Sequence, residues 1–115
     1  MPHFIIEVAQ PLLTEKPANI ILESIEAAAL ESQLFMPEDI KCRIQLFEHY
    51  DCGQEGLRFI HVVAKLLTGR TLAQKQALSS AIIEHLNHLG FINISLTAEV
   101  VDIERESYAK QVNSV

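Results

Sequence analysis

The 115-residue sequence contains no tryptophan, and aromatic residues make up only 6% of it, so its core must be built from aliphatic side chains. Hydrophobic residues nevertheless reach 49%, which is enough for one packed domain, and the length is too short for two. No apolar run approaches the roughly 20 residues of a membrane helix. No basic segment followed by an apolar stretch marks a signal peptide. We therefore expect a cytoplasmic protein without a membrane partner.

Basic residues are also scarce, since nine lysines and arginines stand against fifteen acidic residues, for a formal net charge of -6. This balance argues against a nucleic-acid partner, because phosphates must be neutralised by cations. A small anionic substrate would require several of these few cations to gather at one place. The two cysteines, Cys42 and Cys52, form no CxxC pair, which is typical of a reducing cytoplasm. The sequence contains no metal-ligand motif, so we expect no metal.

The first part of the chain has the hydropathy pattern of a strand, a helix and a second strand. The short apolar run 3–9 predicts a buried strand. Apolar residues then recur at helical spacing over 18–29. We expect Thr14 to cap this helix and the helix to end near Phe35. Over 40–47 apolar and polar residues alternate, which is typical of a strand covered on one face.

The second part repeats this order. A dense apolar run over 59–67 predicts a third strand. Thr71, followed three residues later by Gln74, fits a capping box at the start of a second helix. Gly90 is expected to end that helix. The alternating residues 94–103 predict the last strand.

Each half, about residues 2–48 and 58–104, is therefore a β-α-β unit within one domain that spans residues 1–115. Right-handed crossovers would place both helices on one face of a four-stranded mixed sheet, an α/β (α+β) fold. The polar C-terminal tail, which begins at Glu104, is expected to fray or to reach a neighbouring molecule.

The other face of this sheet has no helix left to cover it. Phe47, Val63 and Val101 would point from this face into water. Because soluble monomers rarely expose such a surface, we expect the chain to associate with itself.

Two stretches of the sequence, residues 1–7 and 59–72, resemble a known protein family. The first, Met-Pro-His-Phe-Ile-Ile-Glu, is similar to the start of the 5-carboxymethyl-2-hydroxymuconate isomerases, which belong to the tautomerase superfamily. The more specific block 59–72, which contains a Gly-Arg turn after an apolar strand, resembles a second family segment. Residues 60–103 are also similar to one short 4-oxalocrotonate tautomerase subunit, which would explain the internal duplication. The resemblance covers most of residues 1–104, and it implies a homotrimer with active sites near subunit boundaries.

The resemblance also implies a cofactor-independent isomerase that moves a proton in a small unsaturated keto (di)carboxylic acid. Its general base would be an N-terminal proline, here Pro2 after removal of Met1. The arginine of the family's Gly-Arg turn corresponds to Arg70, which would bind substrate. A second family arginine aligns with Lys41 and a neighbouring one with Arg43. The pattern leaves open which of these presents the second cation, and lysine cannot replace a bidentate arginine grip.

These residue types suit the chemistry of tautomerisation. Proton transfer between carbon or oxygen atoms requires a base, and positive charge near the developing enolate. An α-amino group titrates near pH ~8, and burial together with nearby cations would lower its pKa further. A free Pro2 amine would then be a neutral base at physiological pH.

Two alternatives stay open at this stage. If Met1 is retained, the Pro2 nitrogen is an amide, and the protein would be a non-catalytic trimer that binds a small acid. Alternatively, the same scaffold would catalyse a related dehalogenation or decarboxylation. In the least specific interpretation, the cations have no role in a site: Arg70 is a solvated turn residue, and Lys41 and Arg43 belong to a solvated sheet edge.

Overall fold

A computed structural model describes residues 1–114 as a four-stranded sheet with two helices on one face. The strands and helices are, in chain order, β1 (His3–Ala9), α1 (Ala18–Glu31), β2 (Lys41–Phe47), β3 (Arg58–Leu67), α2 (Leu72–Asn87) and β4 (Ile94–Ile103). The strand order is β2-β1-β3-β4, in which β1 pairs with β2 and β3 with β4 in parallel, and β1 with β3 antiparallel. The predicted mixed sheet and fold class are confirmed.

Strict alternation of side chains explains how the central strands form the core. In β1, Phe4, Ile6 and Val8 are fully buried, whereas the residues between them are only half-buried. Strand β3 repeats this pattern, and its buried residues face the same side. The buried core between sheet and helices consists of Phe4, Ile6, Val8, Ala9, Leu12, Ile21, Ile25, Ala28, Ala29, Ile60, Val62, Ala64, Leu66, Leu78, Ile82 and Leu86. The period of two therefore decides which face of the sheet receives the helices.

Helix α1 begins at residue 18, where the predicted helical spacing begins, but the predicted cap is wrong. Thr14 does not cap this helix, because its hydroxyl donates to the Pro11 carbonyl at 2.7 Å within a short 3-10 turn, Gln10–Thr14. The helix begins at Ala18, and Pro17 occupies the N-cap position in an extended conformation. The second proline of the connector thus determines the start of the helix, since its fixed φ suits the entry into a helix.

The end of α1 also differs, because the helix stops at Glu31 rather than near Phe35. Two local features end it. The Ser32 hydroxyl donates to the Ala29 carbonyl at 2.5 Å, and Gln33 adopts a positive φ of 59°. The residues up to Phe35 therefore form a loop that leads towards the edge where β1 begins.

The start of α2 agrees with its prediction. The Thr71 hydroxyl accepts from the Gln74 backbone N–H at 3.1 Å, and the Gln74 side chain accepts from the Thr71 N–H at 2.8 Å. This reciprocal pair is the predicted capping box. It fixes the position at which the chain turns from β3 into the helix, immediately after Arg70.

The second face of the sheet carries no helix in the part of the chain that the structure describes. Phe47 and Val63 are half-buried on this open face, and Val101 is 38% exposed. Neither helix among the described residues has the length and apolarity required to cross a membrane.

Candidate active site

Pro2 and the candidate cations lie along one edge of the sheet, called here the N-terminal edge. Strands β1 and β2 run in parallel and both begin there, with His3 in register with Lys41. Strand β3 is antiparallel to β1 and ends there, with Lys65 opposite His3. The topology therefore brings the start of the chain next to the turn that carries Arg70.

Pro2 is buried at this edge and is attached to the neighbouring strand. Its carbonyl accepts from the Lys41 backbone N–H at 3.2 Å. The amino group of Met1 donates to the backbone carbonyl of Asp39 at 2.8 Å. Backbone contacts on both sides thus hold the first peptide unit in a fixed position.

The electrostatic surroundings of the terminal amine favour its neutral form. Burial is the main reason that the pKa of the Met1 amine lies below its ordinary value, and Asp39 opposes this shift. The positive charges of Lys41, Lys110 and Arg70 lower the pKa further.

Arg70 is held in place by the loop after α1. Its guanidinium donates to the Leu34 carbonyl at 2.8 Å and lies 5.5 Å from the centre of the Phe35 ring. Phe35 in turn packs edge-to-face against Phe4, with ring centres 6.0 Å apart. The side chain of Arg70 is therefore ordered through the core residue Phe4, which is unlike a solvated turn residue.

Lys41 and Arg43 both project from the open face, because Cys42 between them packs against the core. The Lys41 ammonium lies 3.4 Å from the Asp39 carbonyl, beside the terminal amine. Arg43 is more exposed, and its guanidinium donates to Nδ1 of His3 at 3.2 Å. Lys41 is thus nearer to the start of the chain.

These three cations have no carboxylate partner among residues 1–114. The ion pairs of this part of the chain do not involve Arg70, Lys41 or Arg43. A substrate carboxylate would therefore not have to displace a protein carboxylate from them.

The C-terminal tail contributes residues to this edge that the sequence analysis missed. The expectation that the tail frays is not met by the described residues, because they fold back onto their own chain, whereas contact with a neighbouring molecule stays a prediction. Arg105 donates to the Thr68 carbonyl at 2.7 Å, and the Tyr108 hydroxyl lies 2.8 Å from Nε2 of His3. Lys110 pairs with the Asp39 carboxylate at 3.2 Å. The sequence did contain a signal for this role, because the tail holds Tyr108, Arg105 and Lys110 in a chain with few aromatic and few basic residues.

Most of the cations gather at the N-terminal edge although the whole chain is acidic. Of the nine lysines and arginines, six lie at or beside it, namely Lys41, Arg43, Lys65, Arg70, Arg105 and Lys110. This is the clustering that an anionic substrate requires in a protein of net charge -6. No group of three or more His, Cys, Asp or Glu side chains within residues 1–114 is arranged to hold a metal ion.

A cleft of about 510 Å³ lies at the opposite edge of the sheet, beside Glu48, Tyr50, Asp51 and Glu55. Its acidic lining does not suit an anionic substrate. Pro2 lines neither this cleft nor the two smaller ones beside Leu34 and beside Lys75.

Solved structures with a similar shape support the same fold. A 5-carboxymethyl-2-hydroxymuconate delta-isomerase matches with a TM-score of 0.81 and 17% identity, over 98% of this chain and 89% of that chain. The protein Pt0534, inactivated by 2-oxo-3-pentynoate, matches with a TM-score of 0.81 and 20% identity, over 94% and 90%. A fused 4-OT, described as a symmetric trimer, matches with a TM-score of 0.75 and 18% identity, over 94% and 90%. At these identities the likeness shows the fold alone.

Comparison with sequence families identifies the family of this chain, which the structural matches alone do not. No curated protein sequence matches this chain significantly. The model of one family, however, matches residues 2–114, which is nearly the whole chain and includes Pro2, both helices and the tail. The chain therefore belongs to the 5-carboxymethyl-2-hydroxymuconate isomerase family.

Proposed function

We propose that the protein is a cofactor-independent tautomerase that moves a proton within a small unsaturated keto acid or keto dicarboxylic acid. The observation that carries this proposal is the position of Pro2, buried at an edge rich in cations where Arg70 and Lys41 have no carboxylate partner among residues 1–114. Membership of the isomerase family supports the reaction class.

The proposed base is the secondary amine that removal of Met1 would create at Pro2. This nitrogen is one residue from the Met1 amine, and it would share the burial and the charges of Lys41 and Arg70 that lower an amine pKa there. The neutral amine accepts the enol O–H proton, which leaves a dienolate and a prolinium ion. The prolinium then returns this proton to a substrate carbon, which yields the keto product and restores the amine.

The cations stabilise the charge that this transfer creates. Arg70, ordered by Leu34 and Phe35, offers its remaining N–H groups to a substrate carboxylate in a bidentate grip. Lys41, beside the amine, lies on the side where a dienolate oxygen would develop. Arg43 is engaged with His3, and we assign the role of second cation to Lys41.

The open edge would be closed by a second copy of the chain. A fused 4-OT of the same fold is a symmetric trimer, and the open face of this sheet is partly apolar. We infer a homotrimer in which the open faces are covered and each N-terminal edge meets a neighbouring subunit. Assembly would exclude water from the site and strengthen its electrostatics.

The proposal is tested with protein shown by intact mass to lack Met1. Enols of a dicarboxylic keto acid and of an aryl keto acid are followed by ultraviolet absorbance. Pro2→Ala should lower kcat/KM by about 10²–10⁴-fold, the usual contribution of a general base. Pro11→Ala, in the 3-10 turn, is the matched control and should retain activity. Equal rates for the Pro2 variant and the unaltered protein would refute the proposal.

The inactivator of Pt0534 provides a second, covalent probe. In 2-oxo-3-pentynoate the alkyne is conjugated to a ketone, so a neutral amine adds to the distal alkyne carbon and its N–H proton moves to the neighbouring carbon. We propose that Pro2 undergoes this addition while Arg70 holds the reagent's carboxylate. The reagent would therefore mark the base directly.

A non-catalytic protein that binds a small acid is the second candidate. The cations occupy the N-terminal edge with Met1 still attached, so anion binding does not require a free Pro2 amine. Intact mass of protein from its native host separates the two, because retained Met1 would favour the binding protein. A substrate panel that includes halogenated acrylates and β-keto acids tests the related dehalogenase and decarboxylase reactions.

A further inference from the structure

We propose that the tail segment Arg105–Lys110, called here the C-terminal strap, forms part of the substrate site, and that Lys110 binds the second carboxylate of a dicarboxylic substrate. This inference rests on the proposed function for the location of the site. It goes beyond that function because it identifies the substrate class and a residue that selects it.

The strap is attached at three points, and each is adjacent to a candidate site residue. Arg105 donates to the Thr68 carbonyl and lies against Gly69, in the turn that leads to Arg70. Tyr108 contacts His3, the residue after Pro2. The strap therefore crosses the whole edge from the Gly-Arg turn to the start of β1.

The third attachment brings Lys110 to Asp39. Three amino groups converge on this one residue. Lys110 lies 3.2 Å from its carboxylate, Lys41 lies 3.4 Å from its backbone carbonyl, and the terminal amine donates to the same carbonyl. Lys110 is thus a third cation beside the proposed base.

The ion pair of Lys110 can exchange its partner. The side chains of Lys110 and Asp39 are 32% and 36% exposed, and ion pairs at such exposure contribute little stability. A substrate carboxylate can therefore replace Asp39 as the partner of Lys110 at small cost. In this arrangement Asp39 keeps the lysine in place until the substrate arrives.

Tyr108 positions the strap through a defined chain of donors. Arg43 can only donate, so Nδ1 of His3 is the acceptor and the neutral ring carries its proton on Nε2. Nε2–H then donates to the Tyr108 oxygen, 2.8 Å away. The phenol keeps its own hydrogen free, while the ring packs edge-to-face on His3.

The test compares two ligands of the same carbon chain that differ in one carboxylate. trans,trans-Muconate carries two carboxylates, and sorbate replaces one of them with a methyl group. Binding to methionine-free protein is measured by titration calorimetry, which requires no turnover. Lys110→Gln should weaken muconate binding about tenfold, as expected for loss of a charged hydrogen bond. The affinity for sorbate should change by less than about twofold.

Two further variants make the result specific. Lys110→Arg retains the charge and should retain the preference for muconate. Lys75→Gln removes an equivalent charge from a similar pair with Asp102 and should change neither affinity. Thermal unfolding of Lys110→Gln like that of the unaltered protein excludes a folding defect.

The outcomes separate the strap from the function on which it rests. Equal weakening of both ligands by Lys110→Gln, no weakening of muconate, or no preference for muconate in the unaltered protein would overturn the role of Lys110. Selective loss of muconate binding in a protein without enol–keto activity would support the strap and reject the tautomerase proposal.

Discussion

Single residues show most clearly what a sequence pattern can and cannot reveal about this site. Pro2 and Arg70 were identified because the chain start and the Gly-Arg turn resemble a known family, and the structure places them at one edge. Tyr108 and Lys110 were missed because their partners are 105 and 71 residues away in sequence. Hydropathy periodicity describes how a strand or helix faces the core, and it carries no information about a polar tail.

The pH dependence of activity is a prediction at this scale. The base must be neutral, so kcat/KM should rise with pH through the pKa of the Pro2 amine. Burial and the charges of Lys41, Lys110 and Arg70 lower the pKa of the Met1 amine, and we expect the same surroundings to place the pKa of the Pro2 amine below the ordinary value of ~8. Lys110→Gln removes a positive charge, which should raise this pKa and move the rise to higher pH. Asp39→Asn removes the opposing negative charge and should move it to lower pH.

The pH–rate profiles of kcat/KM for the three proteins provide the measurement. The pH at which kcat/KM rises should move in opposite directions in the two variants. Both shifts should be smaller at high salt, because the charges are partly exposed. Displacement of both variants in one direction would contradict the electrostatic account of the base.

At the scale of elements, the strands and the starts of both helices were predictable, whereas the cap and the end of α1 were not. Strand β4 has the predicted bounds 94–103, because a period of two over ten residues is a strong local signal. The cap of α1 was assigned wrongly because Thr14 has the chemistry of a cap, yet its hydroxyl bonds within a preceding turn. The end of α1 was misplaced because Gln33 adopts a positive φ, and only a glycine at that position would have indicated this conformation in the sequence.

The capping box at Thr71 gives a prediction for the element that positions Arg70. Thr71→Ala should lower the free energy of unfolding by about 1 kcal/mol, because the Gln74 N–H loses its acceptor. Thr71→Ser, which keeps the hydroxyl, should cost much less. Denaturant unfolding followed by circular dichroism measures both, and an alanine variant as stable as the serine variant would show that the box contributes nothing.

At the scale of the whole molecule, the order of elements was sufficient to predict the mixed sheet and its uncovered face. It was not sufficient to predict the shape of the site. The N-terminal edge is open in one chain, and in our proposal its remaining wall comes from another subunit. The strand and helix patterns of one sequence do not indicate which residues of another subunit would complete the site.

The proposed trimer is the corresponding prediction. Val63 lies on the open face, in register with Ile5 and Glu99, and outside the core between sheet and helices. Val63→Arg should dissociate the trimer, because assembly would bury a large charged side chain on the partly apolar open face, while the helical circular dichroism signal persists. Ile92→Arg, at a position 71% exposed in a loop, is the control and should remain trimeric.

Light scattering coupled to size exclusion measures the assembly. If the unaltered protein elutes as a monomer, the open face has no cover and the proposed site at a subunit boundary does not exist. A Val63 variant that remains trimeric would place the interface on another surface.

The central claim is that the amine of Pro2 is the catalytic base, and labelling with 2-oxo-3-pentynoate followed by mass spectrometry tests it most directly. Methionine-free protein should gain one equivalent of reagent, located by peptide mapping on Pro2, and lose its activity in proportion. Protein that retains Met1 should not be labelled at Pro2, because its nitrogen is an amide. Labelling of Cys52 alone, or full activity after Pro2 is labelled, would contradict the account.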